Sequence, residues 1–361
     1  MKRLFALFAT LLIATLALAQ QNSGPAAPPA DLAKEAQQRA VSQPYNNAPV
    51  WKNARGAVEG YVSIPAPEAG VLIQDGGQNW RALRNGWFSV IGGWAIVAMM
   101  LAIGSFYAWK GTVQLHDAPT GRMVERFTLL ERMAHWGTAI SFSVLAISGL
   151  ILAFGKTLLI PVIGFTLFSW LAILSKNLHN FLGPLFIVSC IITFVMFVRD
   201  NFPKAVDFQW ITNFGGLING KHIPSEKFNA GEKIWFWGGL MVLGLVVGAS
   251  GLVLNFPNFG QTRATMQLAN LVHLTGATLF MLGALGHIYM GTLGMAGALD
   301  AMKTGVVDES WAKEHHEIWY DEQVKAGNVG RVATQGTQGA QATPHTPSTK
   351  NQQPVAVGGD D

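Results

Sequence analysis

The sequence predicts an all-α integral membrane protein whose chain crosses the bilayer five times. Only 13% of its 361 residues are charged and 50% are hydrophobic. The mean hydropathy is +0.28, which is high for a soluble protein of this length. The apolar stretches long enough to span a bilayer are residues 87–107, 133–154, 178–198, 234–253 and 268–293.

The two ends of the chain differ from these apolar stretches. Residues 1–20 combine a basic start, an apolar run and small residues, which is the pattern of a secretory signal peptide, with an uncleaved anchor as the alternative. Residues 21–86 are predicted to be an exported periplasmic segment, partly disordered. Residues 326–361, rich in Gly, Gln, Thr and Pro, are predicted to be a disordered cytoplasmic tail.

Basic residues predict the orientation of the spans. The loops 110–132 and 199–233 carry several Lys and Arg residues, whereas the loop 255–267 carries only Arg263. The first two loops are therefore expected on the cytoplasmic side of a bacterial inner membrane, with the mature N-terminus periplasmic and the C-terminus cytoplasmic. The apolar region 158–174 contains Pro161 and Gly164 and is predicted to be an interfacial segment on the outer side.

Four histidines lie within the predicted spans. His273 and His287 are fourteen residues apart, so in a helix they lie about 40° apart around the axis and roughly 21 Å apart along it. His135 and His179 lie near the ends of two other spans. With the predicted orientation, depth pairs His179 with His273 near the outer face and His135 with His287 near the inner face.

Two such pairs at two depths are what a four-helix bundle needs to bind two haems through paired imidazoles. Cys190 is the single cysteine, so a C-x-x-C-H attachment is excluded and the haems would be b-type. The alternative is a haem-free structural anchor whose histidines form hydrogen bonds between helices. None of the spans contains Asp, Glu, Lys or Arg, which argues against an ion-coupled transporter. Residues 87–107 lack histidine and are predicted to be an accessory transmembrane helix.

Other histidines and tryptophans have simpler interpretations. Histidines in the predicted cytoplasmic segments are expected to be solvated or to face a partner: His116, His222, His315 and His316. Tryptophans near span ends are expected to form an interfacial belt: Trp87, Trp136, Trp235 and Trp237.

Taken together, several motifs resemble the cytochrome b (gamma) subunits of membrane-bound formate dehydrogenases. The motifs, in order, are Arg126-Phe127, Glu131-Arg132, His135-Trp136, Ser148-Gly149, Leu178-His179, Val198-Arg199, the run Lys227-Phe228-Asn229-Ala230-Gly231-Glu232-Lys233, His273, His287-Ile288-Tyr289-Met290 and Trp311-Ala312-Lys313-Glu314-His315-His316. The resemblance covers about residues 121–322. It implies a four-helix diheme cytochrome b bundle in that region, with one extra N-terminal transmembrane helix in this chain.

The resemblance also implies a function. Electrons would pass from a periplasmic iron-sulfur (beta) subunit through two b haems, bound by His135, His179, His273 and His287, to menaquinone or ubiquinone. Asn229, Gly231 and His287 would contact the quinone near the cytoplasmic face; a plain loop entering the fourth span is the alternative for Asn229 and Gly231. Formate oxidation would belong to a molybdenum or tungsten catalytic (alpha) subunit. The expected partners include membrane lipid and no nucleic acid, and a hydrogenase or another molybdenum oxidoreductase is the alternative complex.

Overall fold

The protein, a computed structural model, is built from five long helices and a small cap at one end of them. The structure describes residues 76–216 and 223–330, together with five positions between 34 and 42. The predicted signal peptide, almost all of the predicted exported segment before residue 76, and the predicted tail beyond residue 330 lie outside the described residues. Five of the described helices are long and apolar enough to cross a membrane, as the sequence predicted.

Helix α1 (Gly77–Lys110) is the accessory helix. It begins ten residues before the predicted span, so residues 77–86, which were predicted to belong to the exported segment, are helical. The helix packs against the fifth long helix, α6 (Arg263–Gly294). Arg84 Nε donates to Asn270 Oδ1 at 3.0 Å, and a Cβ on Gly92 would lie 3.0 Å from Thr278 Oγ1. A polar contact at one end and a glycine contact further along therefore attach α1 to α6.

Helices α2 (Leu129–Leu158) and α3 (Ile160–Phe197) form a long hairpin. A capping box at Thr128 and Glu131 begins α2. The backbone breaks at Gly164, where φ is +74°, and is helical again from residue 165 to 197. The separate interfacial segment predicted at 158–174 is therefore wrong: most of it extends the third span. Pro161 is tolerated because it lies in the first turn, where its missing N–H costs no helical hydrogen bond.

Helix α4 (Ala205–Thr212) is a short helix that precedes the fourth span. That span, α5 (Ala230–Asn255), begins at Asn229, whose side chain accepts from Glu232 N. Residues Trp235–Leu243 of α5 are π-helical, and so are residues Met290–Gly294 of α6.

The four helices α2, α3, α5 and α6 form the bundle, with α1 against α6 on its outside. The backbone of α6 packs closely on α5 and α1, but it stays apart from the backbones of α2 and α3 along almost all of its described length. Across these two wider gaps α6 meets its neighbours mainly through aromatic rings and histidines. The face of α6 turned towards α2 and α3 therefore carries histidines and aromatic rings that meet those of its neighbours.

A cap covers the end of the bundle at which α2 begins and α3 ends. The cap consists of strands β1 (Met123–Glu125) and β2 (Val306–Asp308) with helices α7 (Ala298–Lys303), α8 (Glu309–His315) and α9 (Glu317–Lys325). The strands are antiparallel, with Val124 opposite Val307. We call this end of the bundle the cap end, and the opposite end, where α2 turns into α3, the hairpin end.

The core of the cap continues into the bundle. Buried residues of one cluster come from both: Val124, Phe127, Phe197, Phe236, Leu240, Ala301, Val307, Trp311, Ala312 and Trp319. Arg126 is buried against this cluster, with its guanidinium 4.8 Å from the Phe127 ring centre and 5.1 Å from that of Trp311. Arg126 Nη2 donates to Lys227 O and to Glu232 Oε1. The start of α5 is therefore tied to the cap by a charged pair and aromatic contacts.

Candidate functional site

The structure brings the four histidines together in two pairs. At the cap end, the rings of His135 on α2 and His287 on α6 have centroids 6.2 Å apart. At the hairpin end, the rings of His179 on α3 and His273 on α6 have centroids 6.0 Å apart. These are the pairs that depth predicted, and each pair spans one of the wide gaps beside α6.

The separation within each pair suits two imidazoles on opposite sides of one metal ion. A metal–nitrogen distance of about 2 Å on each side, plus the distance from each nitrogen to its ring centre, places the ring centres roughly 6 Å apart. In the described part of the chain, no group of three or more His, Cys, Asp or Glu side chains lies together in a way that could hold a metal. Each pair thus offers two protein ligands, which is the number that a haem iron takes in addition to its porphyrin.

The hydrogen bonds at the hairpin end fix which ring nitrogen of His273 carries the proton. His273 Nδ1 lies 3.0 Å from Val247 O on α5. A carbonyl oxygen only accepts, so Nδ1 donates and Nε2 keeps its lone pair. Ser250 Oγ lies 3.2 Å from the same Nδ1. Because the Ser250 hydroxyl donates to Val246 O, its oxygen is a second acceptor for the His273 Nδ1–H. Nε2 of His273 is the free ligand atom.

The same reasoning applies to His179. Its Nδ1 lies 2.9 Å from Ser148 Oγ on α2. Ser148 Oγ can donate its proton to Leu145 O, 3.1 Å away, and then accepts from a proton on His179 Nδ1. Hydrogen bonds at Nδ1 thus orient both imidazoles of the hairpin-end pair, and in the neutral rings Nε2 is the atom left to bind a metal.

Glycines on facing helices make room for these two rings. A Cβ on Gly149 of α2 would lie 3.3 Å from His179 Cε1, and a Cβ on Gly251 of α5 would lie 3.2 Å from His273 Cε1. Both distances are tighter than ordinary contacts. The small residues beside the histidines are thus explained by close packing on the imidazoles.

The cap-end pair is held differently. Nδ1 of His135 is buried and has no hydrogen-bond partner among the described residues. His287 instead stacks on the indole of Trp235, with centroids 5.2 Å apart and planes inclined by 17°. The indole fits between two glycines, because a Cβ on Gly239 or on Gly283 would lie 2.4 or 2.6 Å from it. Trp235 was predicted to belong to the interfacial belt, and that prediction is wrong: it packs inside the bundle.

No feature of the sequence marked Trp235, which is the first residue of a π-helical stretch of α5. A π-turn shifts the register of the side chains that follow it. The serines that fix the hairpin-end histidines, Ser148 and Ser250, were equally unmarked as partners. A serine in a helix usually donates to a carbonyl three or four residues earlier in the same helix. That the same serine also contacts a histidine becomes visible only once the helices are packed together.

Between the two pairs lies a layer of phenylalanine rings. Phe142 on α2, Phe186 on α3 and Phe280 on α6 have mutual centroid distances of 4.7 to 6.1 Å. Trp235 extends this layer towards the cap end, 5.6 Å from Phe280. The two histidine pairs are thus separated by a packed aromatic layer in the middle of the bundle.

Asn229 and Gly231 have local structural roles. Asn229 Oδ1 accepts from Glu232 N, and Glu232 Oε2 accepts from Asn229 N, which forms a capping box at the start of α5. A Cβ on Gly231 would lie 2.7 Å from Trp210 Cη2 of α4. Among the described contacts, none joins Asn229 or Gly231 to His287. The Asn229 side-chain amide keeps its two N–H donors for another partner.

The remaining described histidines divide into exposed and buried ones. His116 is exposed and pairs with Glu314, whose carboxylate raises the pKa of the imidazole, as expected for a surface residue. His316 was predicted to be solvated or to face a partner, but it is buried. It is 1% exposed inside the cap, and its Nδ1 donates to Glu226 O at 2.6 Å. Burial and the nearby Arg126 lower its pKa from 6.5 to about 3. His222 lies outside the described residues.

An all-helical membrane bundle with imidazoles paired across gaps between its helices defines a membrane cytochrome b. Comparison with known proteins agrees: the family model described as prokaryotic cytochrome b561 matches residues 126–305, about half of the chain. The chain belongs to this family. It is therefore a membrane cytochrome that uses b-type haem in electron transfer within an oxidoreductase.

Curated relatives share the same region. The nitrate-inducible formate dehydrogenase cytochrome b556(Fdn) subunit of Escherichia coli is 29% identical over 216 residues, which are 57% of this chain and 94% of that protein. The formate dehydrogenase cytochrome b556(fdo) subunit of Escherichia coli is 29% identical over 208 residues, 55% of this chain and 92% of that protein. The formate dehydrogenase cytochrome b556 subunit of Haemophilus influenzae is 26% identical over 205 residues, 54% of this chain and 80% of that protein.

Proposed function

We propose that this chain is the membrane-anchoring diheme cytochrome b subunit of a formate dehydrogenase complex. The main observation behind this proposal is that His273 and His287, on one helix, each face a second histidine at opposite ends of the bundle. The names of the curated relatives support formate dehydrogenase as the complex.

Within this proposal the histidines hold two b haems. His179 and His273 bind one through Nε2, because hydrogen bonds at Nδ1 leave that atom free. His135 and His287 bind the other, with Trp235 supporting the His287 ring. Bound there, the two haems supply one-electron redox centres at two depths of the membrane, through which electrons reach quinone. The aromatic layer of Phe142, Phe186 and Phe280 keeps water out of the space between them.

The basic loops support a cytoplasmic position for the cap end. Arg122, Arg126, Lys204 and Lys227, which lie at the cap end, belong to those loops. Menaquinone or ubiquinone would then be reduced near the cap end, with protons taken from the cytoplasm. A periplasmic iron-sulfur subunit, joined to a molybdenum or tungsten catalytic subunit that oxidises formate, would dock at the hairpin end.

Asn229, Gly231 and His287 form the proposed quinone contacts. The carbonyl oxygens of a quinone accept hydrogen bonds, and the free amide donors of Asn229 can supply one. Gly231 allows the Trp210 ring to pack directly against the backbone at the start of α5. Replacing Asn229 by Asp tests this role selectively: Asp still caps α5 but has no N–H to donate. Thr128→Ser, at the cap of α2, is the matched control.

Optical spectroscopy of the purified complex tests the haem assignment. We expect reduced-minus-oxidised bands of low-spin b haem at two haems per chain. His179→Ala should remove one haem and His287→Ala the other, together with quinone reduction, whereas the exposed His116→Ala should remove neither. A colourless protein would end the proposal, and two haems retained in His287→Ala would refute the pairing. Mass spectrometry of the co-purifying subunits would distinguish formate dehydrogenase from another oxidoreductase.

A further inference from the structure

The two histidine pairs differ in how their Nδ1 atoms are satisfied. At the hairpin end, His179 Nδ1 donates to Ser148 Oγ and His273 Nδ1 donates to Val247 O. At the cap end, His135 Nδ1 has no partner among the described residues, and His287 is supported by the face of an indole. One end is held by hydrogen bonds and the other by packing.

This difference has an electronic consequence for a bound metal. An imidazole that donates its Nδ1–H to an acceptor gains electron density and becomes a more basic ligand. A more basic ligand stabilises the ferric ion, which carries the higher charge, and so lowers the reduction potential. Hydrogen bonding around a haem is one of the means by which a protein sets that potential.

We propose that Ser148 and the Val247 carbonyl are positioning groups that hold the haem at the hairpin end at a lower reduction potential than the haem at the cap end. The inference rests on the proposed function, since it takes the histidines as haem ligands. One electron leaving ferrous iron at the hairpin end and reducing ferric iron at the cap end then moves downhill in free energy. The hydrogen bonds of the bundle thereby favour flow towards the quinone end.

Ser148 is suited to this role by its position. It is 3% exposed, so water does not compete for its oxygen. Its hydroxyl can donate its own proton to Leu145 O. Ser250 makes a second, longer contact with His273 Nδ1, which the Val247 carbonyl already satisfies. Removing Ser148 Oγ should therefore matter more than removing Ser250 Oγ.

The experiment is a redox titration of the intact complex, followed optically and by electron paramagnetic resonance. Loss of one signal in His179→Ala identifies the hairpin-end haem. In the unaltered protein that haem should have the lower potential. Ser148→Ala should raise its potential and leave the other haem unchanged. Ser141→Ala is the matched control, because Ser141 is a buried serine of the same helix that bonds only to Gly137 O and Thr138 O.

Two results would overturn the inference: a hairpin-end haem with the higher potential, or a potential that Ser148→Ala does not move. If Ser148→Ala loses haem, Ser250→Ala decides: it should still raise the potential of the hairpin-end haem, by a smaller amount, and a potential that does not move would contradict the inference. The failure of the proposed function would look different. It would give no haem signal to titrate. Failure of this inference alone would leave two haems whose potentials are in the opposite order, or a hairpin-end potential that does not change in Ser148→Ala.

Discussion

The indole of Trp235 lies almost parallel to the imidazole of His287, with ring centroids 5.2 Å apart, and fits between two glycines of facing helices. Trp235→Ala should destabilise the protein by about 3–5 kcal/mol, because it removes a large packed side chain. It should also alter the spectrum of the haem proposed at the cap end, because the His287 ring loses its support. Thermal unfolding and electron paramagnetic resonance measure the two effects.

The exposed Trp87, of which 69% is accessible, provides the control for Trp235. Trp87→Ala should change neither the stability nor the spectrum. Trp235→Phe should retain most of both, since a phenyl ring can still stack. An unchanged cap-end spectrum in Trp235→Ala would show that the stack does not orient the histidine.

The pair of Arg126 and Glu232 should be essential for joining the cap to the bundle. Arg126→Met should destabilise the protein by about 3 kcal/mol, because it leaves the Glu232 carboxylate without its partner. Adding Glu232→Gln should recover part of the loss, since an amide carries no charge and can still complete the capping box. Melting temperatures of the single and double variants test this. A double variant less stable than the sum of the two single changes predicts would contradict it.

His316 should make the stability of the cap depend on pH. Burial lowers its pKa from 6.5 to about 3 in the folded protein, so the unfolded chain binds a proton that the folded chain does not. The contribution of neutral His316 to the free energy of unfolding should therefore be fully present above pH 6.5. It should be lost as the pH drops towards 3, by at most about 1.4 kcal/mol per pH unit.

Melting temperatures between pH 7 and 5 test the contribution of His316. This range lies above the pKa window of Asp308 and Glu314, whose pKa values are lowered and whose contributions are lost only at lower pH. His316→Asn should flatten the dependence of the melting temperature on pH, since an amide can donate to Glu226 O but does not titrate. His116, whose pKa is raised, contributes with the opposite sign and is present in both proteins. Equal slopes in the two proteins would contradict the prediction.

The accessory helix should depend on a glycine contact. Gly92→Leu should destabilise the packing of α1 on α6 by about 1–3 kcal/mol, because even a Cβ there lies 3.0 Å from Thr278 Oγ1. Gly104→Leu on the same helix is the control, as a Cβ at Gly104 meets nothing within 4 Å. Both variants add the same side chain to the same span, so lipid insertion is matched. Equal melting temperatures would show that this contact does not hold α1.

The sequence predicted much of the fold because membrane spans and histidine spacing are local properties. Five apolar stretches gave five long helices, and the depths of four histidines gave the two pairs. The errors arose where a boundary depended on packing. The helix of α1 starts before its apolar run, and the region 158–174 extends α3 once Gly164 takes a positive φ.

The sequence by itself determined the membrane class, the apolar runs that become the five long helices of the described residues, and which histidines share a depth, since hydropathy and the rise of a helix fix these. Only the tertiary structure decided what surrounds each histidine: Ser148 and Val247 O at one end, and Trp235 at the other. It also decided that His316 is buried. These facts depend on the rotation of one helix against another and on a π-helical shift in register, which packing sets and which no local pattern in the sequence records.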